Sequence, residues 1–179
     1  TAVGEMFDEF EARSDVEIEL VLPAEYAPAG RPNVHGVPTG EVPVAPVEGT
    51  SEGTIVVDHS MDDVGTFDDT IEIEFREGFV TNVSGGESAN RLRQVLKQAD
   101  ENAGNLAEFA IGTNPDARLT GILAEDKKAL GTVHFAVGDS RSIGGEVESD
   151  LPIDGMVTRP TVELDGEVIV DNEELLITD

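Results

Sequence analysis

Thr70-Ile71-Glu72-Ile73-Glu74-Phe75 runs through Arg76 and Glu77-Gly78 into Phe79-Val80-Thr81-Asn82-Val83-Ser84. Apolar residues at 71, 73 and 75 alternate with acids at 72 and 74, the period-two pattern of a strand with one wet face. Glu77-Gly78 then marks a tight hairpin. Working outward, the same reading predicts strands over 41–47, 53–58, 106–111, 131–138 and 151–157. Asp165-Gly166 is a second hairpin turn, between Thr161-Val162-Glu163-Leu164 and Val168-Ile169-Val170. After Gly85-Gly86, residues 88–103 read as a helix with Leu92, Val95, Leu96 and Ala99 on one face. Toward the N-terminus, Val3, Phe7 and Phe10 fall at helical spacing within 1–13, and Val16, Ile18, Leu20 and Leu22 alternate as a strand. The prolines and glycines of 23–40 predict a long loop, a setting often used for function. The expected fold is α+β: one strand-rich, mixed-sheet domain over 1–179 with two or three helices.

Composition narrows the function. The chain carries 38 acidic against 11 basic residues, a formal charge of -27. Lysine occurs only at 97, 127 and 128. Self-repulsion of this size opposes compaction unless salt screens it, and the composition is that of an extreme halophile's protein. Intrinsic disorder also combines high charge with low hydrophobicity, but 39% of the residues are apolar and they fall in periodic runs. The anionic surface speaks against nucleic acid or anionic lipid as partners. Without cysteine there is no disulfide and no thiolate metal site, which suits a cytoplasmic location. No apolar run reaches the roughly 18 residues of a membrane span.

Gly131-Thr132-Val133-His134-Phe135-Ala136-Val137-Gly138-Asp139 places an imidazole inside an apolar strand. Such a histidine is either a hydrogen-bonded core residue or a metal ligand. Three carboxylates sit in similar apolar or glycine-punctuated settings: Glu41 before Val42-Pro43-Val44, Glu108 within Leu106-Ala107-Glu108-Phe109-Ala110, and Asp154 within Pro152-Ile153-Asp154-Gly155. Burying them is costly unless a cation or donors receive them. Taken one at a time, Glu41 and Asp154 also suit turns, and Glu108 a wet strand face. His59 and His35 read as surface residues.

Together, several segments resemble the C-terminal half of the aminopeptidase T family, the thermophilic or AmpS-type leucyl aminopeptidases. They are Gly40-Glu41-Val42 with Ala45-Pro46, Gly53-Thr54-Ile55, Ala107 to Pro115 with Ala117-Arg118, Gly131-Thr132-Val133-His134 with Gly138-Asp139, Gly144-Gly145 and Arg159-Pro160-Thr161-Val162. They follow in order from about residue 35 to about 170. The same branch resembles dihydroxypyridine dioxygenases. The resemblance implies a hydrolase with a paired-metal centre, one or two divalent ions of the zinc, cobalt or manganese class held by Glu41, Glu108, His134 and Asp154. It also implies Glu108 as a catalytic residue, a peptide or small amide as substrate, a homodimer, and an N-terminal domain preceding this one. Arg118, after Asn114-Pro115-Asp116-Ala117, is the second catalytic candidate, as an anchor for a substrate carboxylate or a partner for one of the glutamates. The family pattern is departed from in two places: Pro152 stands where a histidine is expected, and the tyrosine expected shortly after His134 is absent, with Arg141 nearby instead. Three functions follow: a metallo-aminopeptidase, a mononuclear-metal enzyme related to dihydroxypyridine dioxygenase, and a non-enzymatic relative with a degraded site.

Overall fold

The computed structural model describes residues 17–22, 39–67 and 69–176. The expected helix over 1–13, His35 and nearly all of the 23–40 loop lie outside the described residues.

Two sheets share one core. The first contains, in spatial order, β1 (Ile18–Glu19), β3 (Glu52–Val57), β6 (Ile71–Arg76) and β7 (Phe79–Gly85). The second runs β2 (Glu41–Val44), β8 (Leu106–Gly112), β9 (Val133–Gly138), β10 (Pro152–Val157), β4 (Ser60–Met61) and β5 (Gly65–Thr66). A third, small sheet holds β11 (Thr161–Leu164), β12 (Glu167–Asp171) and β13 (Glu174–Leu175). The alternation read from residues 70–76 is realised: Ile71, Ile73 and Phe75 are buried, while Glu72 and Glu74 stay partly exposed. They join Val57, Leu106, Phe135, Val137 and Ile153 in the common core, where Phe75 meets Phe135 edge to face with centroids 6.4 Å apart. Edge-to-face stacking adds roughly 0.5–1.5 kcal/mol to the burial of such a pair.

Both expected hairpins form. Glu77 and Gly78, and likewise Asp165 and Gly166, all have positive φ, the backbone that a two-residue hairpin turn demands. The helix α1 (Glu87–Gln98) buries Ala89 and Leu92 but stops short of the expected residue 103. Beyond it, the Asp100 carboxylate accepts the Asn102 backbone N–H at 2.8 Å, a local turn that competes with helix continuation. A second, unexpected short helix is α2 (Leu123–Asp126). Among the described residues every pairing between named strands is antiparallel, so the expected mixed sheet is corrected. Parallel neighbours need a crossover, usually helical, and α1 instead packs on β6 and β7 before the chain enters the other sheet. No helix of the described residues is long and apolar enough to cross a membrane.

Candidate metal centre

Strand β9 is buried along its whole length, so both of its faces are covered. Phe135 and Val137 point into the shared core. His134 and Ala136 therefore face the other way, because successive side chains alternate. Register then decides what joins them. Glu108 on β8 and Asp154 on β10 flank Ala136, whereas Ala110 and Met156 flank His134. Glu41 on β2 pairs with Gly112, two residues along β8 from Ala110. Antiparallel partners share a face, so Glu41, Glu108, His134 and Asp154 all project from the same one. Alanine and glycine between them keep the strand surface low enough for these longer side chains to meet.

Glu108 reaches that face through a bulge. The β8–β9 register shifts between Leu106 and Glu108, so Leu106 pairs with Val137 and Glu108 with Ala136. Without the extra residue Ala107, Leu106 and Glu108 would share one face, and either the leucine would leave the core or the carboxylate would enter it. The bulge re-aims the acid.

Residues 113–132 fold back over this face. Asn114 N–H bonds the Lys128 carbonyl at 2.9 Å, and Leu130 N–H bonds the Asn114 carbonyl at 3.1 Å. A Cβ at Gly112 would collide with the Ala129 carbonyl, so glycine is what lets the cover close. Under it, His134 Nε2 lies 3.2 Å from Glu108 Oε1 and 3.5 Å from Glu41 Oε2. The His134 side chain is fully buried, and Glu41 and Glu108 are 7% and 16% exposed. Asp154 Oδ2 takes the Lys127 ammonium at 2.6 Å, and Lys128 Nζ pairs with Glu41 Oε2. Asp62 completes the neighbourhood by accepting the Asp154 N–H at 3.3 Å.

Burial pulls the Lys127 ammonium down, but the Asp154 carboxylate, helped by Glu41 and Glu108, outweighs it and holds the group above the ordinary lysine range. Burial and then the Asp154 charge push the Asp62 carboxyl up, against the Asp154 N–H and Lys127. Both shifts have one source: several charges in one poorly solvated space.

The residues suit a divalent ion in kind. Donors bonded to one ion at about 2.0–2.2 Å lie roughly 3–3.5 Å from one another, the spacing His134 keeps with Glu108 and Glu41. The buried His134 Nδ1 has no hydrogen-bond partner among the described residues. As the side chains stand, however, no three His, Asp or Glu groups among the described residues are arranged to hold an ion, and Asp154 is turned to Lys127.

The remaining sequence candidates are placed elsewhere. Arg118 is exposed, and its backbone N–H donates to Glu125 at 3.2 Å. Arg141 is held by Asp139 and Glu148 at 2.7 and 2.8 Å. Pro152 opens β10 opposite Gly138, two residues from Asp154 and hence on its face. His59, read from sequence as a surface residue, is corrected: it is partly buried, with Nε2 3.1 Å from the fully buried Asp126. Lys127, Lys128 and Asp62 were not singled out by sequence reasoning. The signal for the lysines was there, since two of only three in the chain are adjacent.

The strand-rich domain thus carries one histidine and three carboxylates on one covered face, with Asp154 turned to Lys127. Residues 22–177 match the NicX family, 2,5-dihydroxypyridine 5,6-dioxygenase, and the chain belongs to that family. It is 25% identical over 147 residues to the 2,5-dihydroxypyridine 5,6-dioxygenase of Pseudomonas putida KT2440, covering 74% of this chain and 42% of that protein. The solved structure of the 2,5-dihydroxypyridine dioxygenase from the same organism superposes with a TM-score of 0.72 at 23% identity, over 79% of this chain and 45% of that one. Wild-type AmpT from Thermus thermophilus superposes with a TM-score of 0.62 at 20% identity, over 97% of this chain and 53% of that one. The chain thus spans about half the length of the proteins it matches. The aminopeptidase T likeness holds for the fold, and the family match favours the dioxygenase-related reading over the aminopeptidase one.

Proposed function

We propose that this domain is the metal-holding part of a mononuclear-metal enzyme of the dihydroxypyridine dioxygenase kind, acting on a small hydroxylated ring. The observation that carries the reading is His134 Nε2 standing between Glu108 and Glu41 on one covered face of a chain that belongs to this family. Bound there, a divalent ion would supply a Lewis-acidic or redox-active centre for an electron-rich ring. Glu41, Glu108 and His134 are the residues that would hold it, with Asp154 joining once released by Lys127. The covering segment 113–132 limits solvent at the face, leaving Glu41 and Glu108 7% and 16% exposed, which strengthens the electrostatic contacts made there.

The non-enzymatic reading has a specific observation in its favour. Pro152 takes the place on the Asp154 face where the family resemblance implies a second imidazole, and a proline offers no donor. The experiment that separates the readings starts with the native full-length protein, reconstituted anaerobically with Fe²⁺ and then given oxygen and 2,5-dihydroxypyridine in molar salt. Loss of ring absorbance that disappears in His134→Ala supports the enzyme. Hydrolysis of a leucine anilide instead would return the aminopeptidase reading. Inactivity on both, together with no gain of bound metal in Pro152→His, would leave the non-enzymatic one.

A further inference from the structure

Only three lysines occur in this chain, against 38 acids, and two of them are adjacent at the candidate metal centre. Lys128 is 5% exposed and pairs with Glu41 on β2. Lys127 is 23% exposed and pairs with Asp154 on β10, on the far side of β8 and β9. Neighbouring residues reach such distant targets because the turn is helical. Lys127 N–H bonds the Leu123 carbonyl at 3.1 Å and Lys128 N–H the Glu125 carbonyl at 2.9 Å, so successive side chains are turned by about 100°. The segment thus sets two ammonium groups down at opposite ends of one carboxylate face.

The charge count gives this arrangement its meaning. Glu41, Glu108, Asp154 and the adjoining Asp62 against two ammonium groups leave the face with two net negative charges when the imidazole is neutral. Adding a dication to it uses up all of that remaining charge. With the lysines absent, the same dication would still leave it net negative. A buried carboxylate needs a cation or hydrogen-bond donors, and here a cation is already part of the chain.

We propose that Lys127 and Lys128 are the resident cations of this face: they compensate Glu41 and Asp154 so that the domain folds without metal, and they weaken the binding of any dication there. The affinity half rests on the reading of this face as the metal face; the folding half does not. Neutralising one lysine strengthens dication binding on the order of 10- to 100-fold, the span that changes around metal ligands commonly produce.

The test uses the full chain in molar salt, with Lys127→Met, Lys127→Arg, Lys128→Met and the double variant Lys127→Met/Asp154→Asn. Thermal midpoints are measured with excess chelator and without, and Mn²⁺ affinity by calorimetry. The parent midpoint is expected to ignore the chelator. Lys127→Met should melt lower in chelator, recover with Mn²⁺ and bind it at least about tenfold more tightly. Lys127→Arg should follow the parent, and Asp154→Asn should restore the chelated midpoint of Lys127→Met. A parent midpoint that falls on chelation overturns the proposal, because metal rather than lysine then holds the face. So does a Lys127→Met protein that melts like the parent in chelator, or one that binds Mn²⁺ no tighter than a parent that binds it. If Lys128→Met does not fold while Lys127→Met does, the more buried ammonium is the more needed and the folding half stands. Absence of Mn²⁺ binding in every protein overturns the metal reading, whereas a Lys127→Met loss rescued by Asp154→Asn still supports the resident cations.

Discussion

Replacing Gly155 by alanine and Phe135 by alanine, singly and together, tests the register on which the metal face depends. Gly155 pairs directly with Phe135, the same ladder that sets Asp154 opposite Ala136 and His134 opposite Met156. A Cβ at Gly155 would stand 3.0 Å from Phe135 Cζ, 3.2 Å from Cε1 and 3.3 Å from Met61 Cε, tighter than ordinary contact. Both neighbours are 1% exposed and have little room to yield. Gly155→Ala should therefore lose about 1–3 kcal/mol to overpacking. Phe135→Ala removes a core ring together with its edge-to-face partner and should lose about 3–5 kcal/mol. In the double variant the new methyl enters space the ring has left, so the losses should fall short of additivity by roughly 1–2 kcal/mol. Urea unfolding in molar salt measures all four proteins. Additivity within about 0.5 kcal/mol would mean that the two residues do not touch, and the inferred placing of Asp154 beside the His134 face would lose its support.

Three further expectations follow from charge and hydrogen bonding. Transfer from molar salt to dilute buffer lengthens screening from about 3 Å to 10 Å or more, so the thermal midpoint of a chain with formal charge -27 should fall; an unchanged midpoint would remove the halophilic reading. Glu48 Oε1 accepts Ser140 Oγ–H, Glu146 N–H and Val147 N–H at 2.7, 2.8 and 2.9 Å, so Glu48→Ala should cost about 1–3 kcal/mol and raise hydrogen exchange at Glu146 and Val147. Burial raises the Asp58 carboxyl against the two donors of Thr158 and the charges of Arg159 and His59. A raised folded-state pKa gives stability that is present at low pH and lost as pH climbs through it. The stability of Asp58→Asn relative to the parent should thus improve as pH rises above about 4, and a pH-independent difference would refute this.

The turns and strands were legible because their signals are local. Glu77-Gly78 and Asp165-Gly166 need only their own positive-φ backbones, and Ile71, Ile73 and Phe75 only their alternation. His134 was legible for the same reason, as a polar group in an apolar run. What Glu108 faces was not, because a plain period of two groups it with Leu106, and only pairing with β9 reveals the bulge at Ala107. A proline donates no ladder hydrogen bond and so belongs at an edge or a locally unpaired position. β10 lies inside its sheet, but β4 meets it in register only at Gly155, so the second alternative describes the proline's flank. The lysines were invisible as site residues because their carboxylate partners are 87 residues before Lys128, at Glu41, and 27 after Lys127, at Asp154.

Whether this face holds a metal is tested most directly on a crystal of the chain soaked in Mn²⁺, with anomalous scattering recorded near the manganese edge. One peak is expected between Glu41, Glu108 and His134 Nε2, at about 2.0–2.3 Å from their donor atoms, with the Lys128 ammonium displaced from Glu41. Manganese bound at a different cluster, with Lys128 still on Glu41 and His134 still hydrogen-bonded to Glu108, would contradict it.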